Sequence, residues 1–273
     1  MVEEKVTEAI IDVGKNVAED IVRPTSKSIG ENLGLLVDGV MGWLGYWGQK
    51  QEIKREAYLA DFKKKIAEKV AGIPEEKLNE PKIRIVGPAI EASKFYIEEA
   101  EFRELFAELV ASACDADCVN KVHPAFPEMI KQLSYLDIKL LEVFRQTHTL
   151  PCCTINETHK DGKVTPYPHI MFDFKGVKHS FDQSKELQLT QSVENLERLG
   201  LLIKNSNVIE LNYDYEKFRN HWFYKALGLV FEAESKINMK KYRIELTQMG
   251  QAFVSCCFEK QNAESDSQKQ RTT

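Results

Sequence analysis

The sequence predicts a mostly α-helical protein with a smaller β part, an α+β chain. Three observations carry this. Apolar residues recur at three- and four-residue steps through most of the first half, the signature of one-sided helices. A β-leaning region runs from 151 to 181 around Asp161-Gly162, a strong hairpin turn signal. Further on, Tyr242-Arg243-Ile244-Glu245-Leu246 alternates as a strand does. At 273 residues the chain is long for one domain. Four segments are expected: N-terminal helices with a Gly/Trp-rich run (1–79), a helical core (80–133), a β-containing domain (134–258) and a polar tail (259–273) expected to be disordered.

Taken in order, residues 4–22 carry Val6, Ile10, Val13, Val17 and Ile21 on one face, and Pro24 stops the helix. Residues 29–48 hold six of the fourteen glycines and end in Trp43, Tyr46 and Trp47. Each Gly in a helix interior costs about 0.8–1 kcal/mol relative to Ala, so a helix here needs something packed on it. Two readings compete: close helix–helix packing, and contact with the headgroup layer of a membrane, where Trp and Tyr are favoured. A spanning helix is disfavoured by Glu31 and Asp38. Residues 49–71 form a long charged helix with Leu59, Phe62, Ile66 and Val70 on one face. Lys63, Lys64 and Lys65 make it basic, and such a run is usually a solvated face. Ile73-Pro74 and Asn79-Glu80-Pro81 mark a loop. Gly87-Pro88 is expected to open the next helix, with Phe95, Phe102, Phe106, Leu109 and Ala113 on its apolar face. A turn at 115–117 and a short helix through Phe126 and Ile130 follow.

In the second half, Ser134 and Asp137 have capping-box spacing ahead of Leu136, Leu140, Val143 and Phe144. A helix through Val193, Leu196 and Leu199 closes on Gly200, a good residue just past a helix end. A strand at 201–203, a turn at 205–207 and a strand from Val208 to Tyr215 come next. An inserted helix at 216–235 bears Trp222 and Phe223, and Thr247-Gln248-Met249-Gly250 caps a last helix carrying Phe253. Helix, helix end at Gly200, β-wing and final helix make a winged-helix-like order. The face such a helix would present holds Gln191, Glu194, Asn195 and Arg198. Acids and bases balance there, whereas phosphate contacts need basic excess. Protein contact is therefore the favoured use of this helix.

The chain carries net charge -5, so no global basic excess points to nucleic acid. The opening Met1-Val2-Glu3-Glu4-Lys5 lacks the basic start and apolar run of a secretory signal, so a cytoplasmic location is expected. The membrane reading of 29–48 would place the protein peripherally at the inner membrane face. Six cysteines fall as Cys114 and Cys118, Cys152-Cys153 and Cys256-Cys257, which reads as buried reduced thiols rather than a disulfide framework. Cys114-x3-Cys118 also meets zinc spacing, with His123, Cys152, Cys153 or His159 downstream, but the helical stripe through Phe106 and Val110 favours burial. There is no Gly-x-x-x-x-Gly-Lys-Ser/Thr loop, no Gly-x-Ser-x-Gly elbow and no His-Glu-x-x-His. No enzyme, metal or cofactor is expected.

Several segments together resemble the abortive-infection alpha family. They are Gly87 to Ile90, Arg103 to Ala113, His123 to Phe126, Ile130 through Asp137, Asn195 to Leu201, and Leu246-Thr247-x-x-Gly250-x-x-Phe253. The block from Arg103 to Ser134 is the specific part. The resemblance implies a bacterial or prophage origin and a link to defence against phage. It supplies no catalytic residues. The expected function is a binding or effector protein with a protein partner or a second copy of itself. Trp43, Tyr46, Trp47 and Lys63 to Lys65 are the candidate membrane or partner contacts. The alternative is a winged-helix regulator that binds nucleic acid.

Overall fold

The computed structural model describes residue 29 and residues 32–38, 49–177, 179–229 and 236–258. The helix expected at 4–22, the cluster of Trp43, Tyr46 and Trp47, and the polar tail lie outside the described residues. The chain divides into two compact units, Met1–Gln132 with Ala252–Thr273, and Leu133–Gln251.

The first unit is helical. A helical stretch at 32–38 buries Leu33 and Val37. Helix α1 (Gln49–Ala71) turns Phe62, Ile66 and Val70 inward, as their spacing predicts. Helix α2 is Ile83–Ser93 and α3 is Ala100–Ser112, and α3 packs against both α1 and α2. A short α4 (Phe126–Ile130) packs on α2 and α3, its Phe126 meeting Phe253 edge-on at 5.2 Å.

Two expectations are corrected here. Pro88 does not open a helix but sits inside α2, which starts at Ile83. The bond lost by its missing N–H is the one to Arg84, an exposed residue of the first turn. The single helix expected through Phe95 and Ala113 is two helices with turns at 94–98 between them. The break places the Ile97 carbonyl 2.6 Å from an Nη of Arg103, which needs an acceptor because it is buried. Tyr96 then stacks on Phe102 at 5.0 Å and donates to the Lys131 carbonyl. Phe95, read as core, is 77% exposed.

The second unit is α+β. Its first helix, α5 (Tyr135–Thr147), carries the expected capping box: Ser134 accepts from the Asp137 N–H and Asp137 from the Ser134 N–H. His148, at φ 60, ends α5 and leads into β1 (Thr149–Thr158). Strand β2 (Val164–Phe172) returns through the Asp161-Gly162 turn, where Gly162 takes φ 81. Then come α6 (Gln183–Arg198), β3 (Leu202–Asn205), a 3-10 turn at Tyr215–Asn220, α7 (Trp222–Leu227), β4 (Lys236–Leu246) and α8 (Gln248–Cys257). The four strands form one antiparallel sheet in the order β2-β1-β4-β3.

The strand expected from Val208 to Tyr215 is absent. Asn212 turns the chain at φ 63, and β4 takes the place beside β3, from Leu202↔Leu246 to Asn205↔Arg243. Tyr215 instead buries its ring and donates to the Tyr242 carbonyl at 2.9 Å. The segment 213–227 thereby covers one face of the sheet, over Cys153, Ile155 and Met171. Helix α6 packs on α5, β2 and β3 with Leu189, Val193 and Leu196 fully buried.

Both outer strands are blunted. Pro166 and Pro168 in β2 offer no N–H, and the Ile170 N–H donates to Thr190 Oγ1 of α6. On β3 the Lys204 N–H donates to the Glu197 carboxylate at 3.2 Å. The Leu-Thr-x-x-Gly motif also has a local cause. Thr247 Oγ1 accepts from the Gly250 N–H at 2.8 Å, and the Thr247 N–H donates to the Leu201 carbonyl.

Candidate functional site

Helix α6 starts on Asp182, whose carboxylate accepts the Lys185 N–H. That bond and the one from Ser184 hold the Asp182 carboxyl below its ordinary range. Gln191, Glu194 and Arg198 lie on its exposed side together with Gln188 and Leu187, which is 49% exposed. Asn195 is placed differently. It is half-buried and donates to Asp137 Oδ2 at 2.8 Å, tying α6 to the cap of α5. Its own oxygen accepts from Arg198 at 2.7 Å. The exposed face therefore carries one acid, one base, two glutamines and an apolar side chain.

The basic run of α1 is internally matched. Lys63 pairs with Asp38, Lys64 lies 3.7 Å from Glu68, and Lys65 lies 2.8 Å from Glu104. Lys69 bridges Glu104 and Glu108 with its side chain only 15% exposed. Burial alone would lower the Lys69 pKa, but the two carboxylates outweigh it and raise it. Burial would likewise raise Glu104, and Lys65 and Lys69 reverse that. Arg103 completes the seam, reaching Asp61 at 2.9 Å and lying over the Tyr58 ring at 4.8 Å. The block Arg103 to Ala113, which begins the specific part of the resemblance, thus supplies the side chains that fasten α1 to α3.

One titratable cluster was not visible in the sequence, because its members are about 15 to 50 residues apart and carry no spacing signal. Glu186 on α6 accepts from His221 Nε2 at 2.8 Å and from the indole N–H of Trp222. His169 lies in a β2 bulge, where β2 advances four residues from Met171 to Tyr167 against two of β1. Its ring meets Phe223 at 4.2 Å. Burial would raise Glu186, yet the hydrogen bonds from His221 and Trp222 leave it lowered. Burial lowers His169 and keeps the ring neutral. His221 Nδ1 accepts from the Phe223 N–H at 3.2 Å, so Nε2 carries the proton given to Glu186. Both nitrogens of His221 and both oxygens of Glu186 are thus engaged within the cluster.

The six cysteines are all buried and unbridged. Cys152 and Cys153 adjoin in a strand, so they point to opposite faces, and β1 is buried on both. Among the described residues no group of three or more His, Cys, Asp and Glu is placed to hold a metal ion. Among them, too, no helix is long and apolar enough to cross a membrane.

Comparison with curated proteins and with solved structures gives no match. The family model for abortive infection alpha matches residues 54–257, from within α1 to the end of α8. That span includes the α1–α3 ion-pair seam, the α5 cap, α6 and the whole sheet, so the chain belongs to the abortive infection alpha family and is linked through it to abortive infection.

Proposed function

We propose that this protein is a non-enzymatic effector of abortive infection that works by protein contact, through the outward face of a winged-helix-like second unit. The observation that carries the reading is the face of α6: Leu187, Gln188, Gln191, Glu194 and Arg198 exposed, with no basic excess. An apolar side chain among neutral and balanced polar ones suits a protein surface. A phosphate backbone needs clustered cations. The order α6, β3, β4, α8 supports the winged-helix likeness, with the segment 206–235 inserted where a short wing would turn. The engaged nitrogens of His221 support a structural rather than a catalytic cluster. The matched lysines of α1 give no support to a nucleic-acid or lipid surface there. Vesicle flotation tests a role for Trp43, Tyr46 and Trp47 at a membrane.

The test is a phage-plating assay with the double variant Leu187→Glu, Gln191→Glu. Both positions are exposed, so the melting temperature is expected to hold. Plaque formation is expected to rise to that of cells lacking the gene. A variant that melts normally and still protects as the parent does would remove the α6 face from the mechanism.

A further inference from the structure

A groove of about 420 Å³ opens in the second unit, between the loop after β2 and the segment 213–221. None of the exposed α6 residues lines it, so a ligand here is independent of the protein contact proposed for α6. Its walls are aromatic: Phe174, His179, Tyr213 and Phe218. Phe174 and His179 lie 4.1 Å apart, and Phe218 is almost fully buried in the cluster beneath.

The groove is held open by bonds within its own walls. Asp173 Oδ1 accepts the Lys175 N–H at 2.8 Å, and the Val177 N–H closes a turn onto the Phe174 carbonyl at 2.9 Å. Lys175 and Gly176 take φ 53 and 79 to make that turn. Tyr213 donates its hydroxyl to Asp173 Oδ2, which joins one wall to the other. Burial and this carboxylate push the Tyr213 phenol well above its ordinary pKa, so it stays a donor to Asp173. Both oxygens of Asp173, the only carboxylate among the described lining residues, are thereby occupied.

The character left toward a ligand is mostly that of a donor. Lys217 holds its ammonium 5.5 Å from the centre of the Tyr213 ring, at the groove. His179 Nδ1 accepts from the Phe181 N–H at 3.3 Å, which leaves Nε2 as the donor nitrogen. Asn220 adds an amide. Aromatic walls alone would also suit a cationic ligand. Lys217 already sits on the Tyr213 ring and repels a second cation. A few hundred cubic ångströms, aromatic walls and a few convergent polar groups are the usual make-up of a small-molecule site.

We propose that this groove binds a small planar aromatic molecule carrying an anionic substituent, the ring against Phe174, His179 and Tyr213 and the anion on Lys217.

The test uses full-length protein and a matched pair of dyes. These are 8-anilinonaphthalene-1-sulfonate and N-phenyl-1-naphthylamine, the same rings without the charge. Fluorescence titration is expected to show one saturable site for the sulfonate, about tenfold tighter than for the neutral dye, a difference of one charged contact. Lys217→Ala, at an exposed position, is expected to abolish that preference, and His179→Ala to weaken both dyes. Amide shifts in NMR are expected to cluster at 172–179 and 213–221. Equal affinity for the two dyes, a preference that survives Lys217→Ala, or shifts elsewhere would each overturn the proposal.

Discussion

Gly250 shows how much one atom can decide. A Cβ at this position would lie 2.0 Å from the Leu201 carbonyl oxygen, a backbone atom with no freedom to swing aside. Gly200 faces open space, but its φ of 72° strains any other residue. Gly250→Ala is therefore expected to cost about 3 kcal/mol or to prevent folding, and Gly200→Ala about 1 kcal/mol. Urea midpoints would check the order, and equal costs would contradict the close approach. In the sequence the Leu-Thr-x-x-Gly spacing was legible as a cap, and Gly200 as a helix end. The contact with Leu201 was not, because it joins residues 49 positions apart, and spacing carries no record of which backbone a glycine must meet. Phe95 failed for a related reason. Its helical stripe was real in spacing, but the buried guanidinium of Arg103 needed the Ile97 carbonyl and the helix broke there.

At the scale of elements, α1 read correctly as a long helix with Phe62, Ile66 and Val70 inward. Its lysines read as a solvated face, and the structure divides them into two kinds. Lys64 and Glu68 are each half exposed and solvent screens them. Lys69 is held between Glu104 and Glu108, the latter with its side chain only 10% exposed. Lys64→Ala is expected to change stability by no more than about 0.5 kcal/mol. Lys69→Ala leaves two carboxylates facing each other in a half-dry seam and is expected to cost about 2 kcal/mol, less than a fully desolvated pair. Chemical denaturation of the two variants separates these outcomes, and an indifferent Lys69→Ala would mean the seam does not hold α1. The partners lie 35 and 39 residues downstream on another helix, which no charge pattern within α1 could announce. Strand β3 was legible from its apolar run. Its neighbour β4 extends to Lys236, well before the alternating stretch, because its first half pairs with the hairpin strand β1 rather than with β3.

Across the whole molecule the thiols report on both units. Burial pushes Cys114, with Asp115 beside it, and Cys153 up to about 12. It raises Cys152 and Cys257 well above the usual thiol range. Thiolate is the reactive form, so the native protein is expected to leave all six cysteines unmodified by Ellman's reagent at pH 8, and six to react in guanidinium. A fast-reacting thiol in the native protein would locate an opening in its unit. The Ser134 cap, which starts a new element, was legible in the sequence. The grouping of the chain from Ala252 with the first unit was not, since nothing in α8 distinguishes its two ends.

The prolines of β2 and the Glu197 clasp on β3 have a further consequence. A sheet with open margins can recruit any extended segment, including another copy of itself, and grow without limit. Here one N–H on each of β2 and β3 is taken up by the chain's own side chains, and two residues of β2 cannot donate. Those positions are thereby closed to an added strand. Where those prolines and the Glu197 carboxylate stand, a second copy of the sheet finds no free donor with which to begin a ladder.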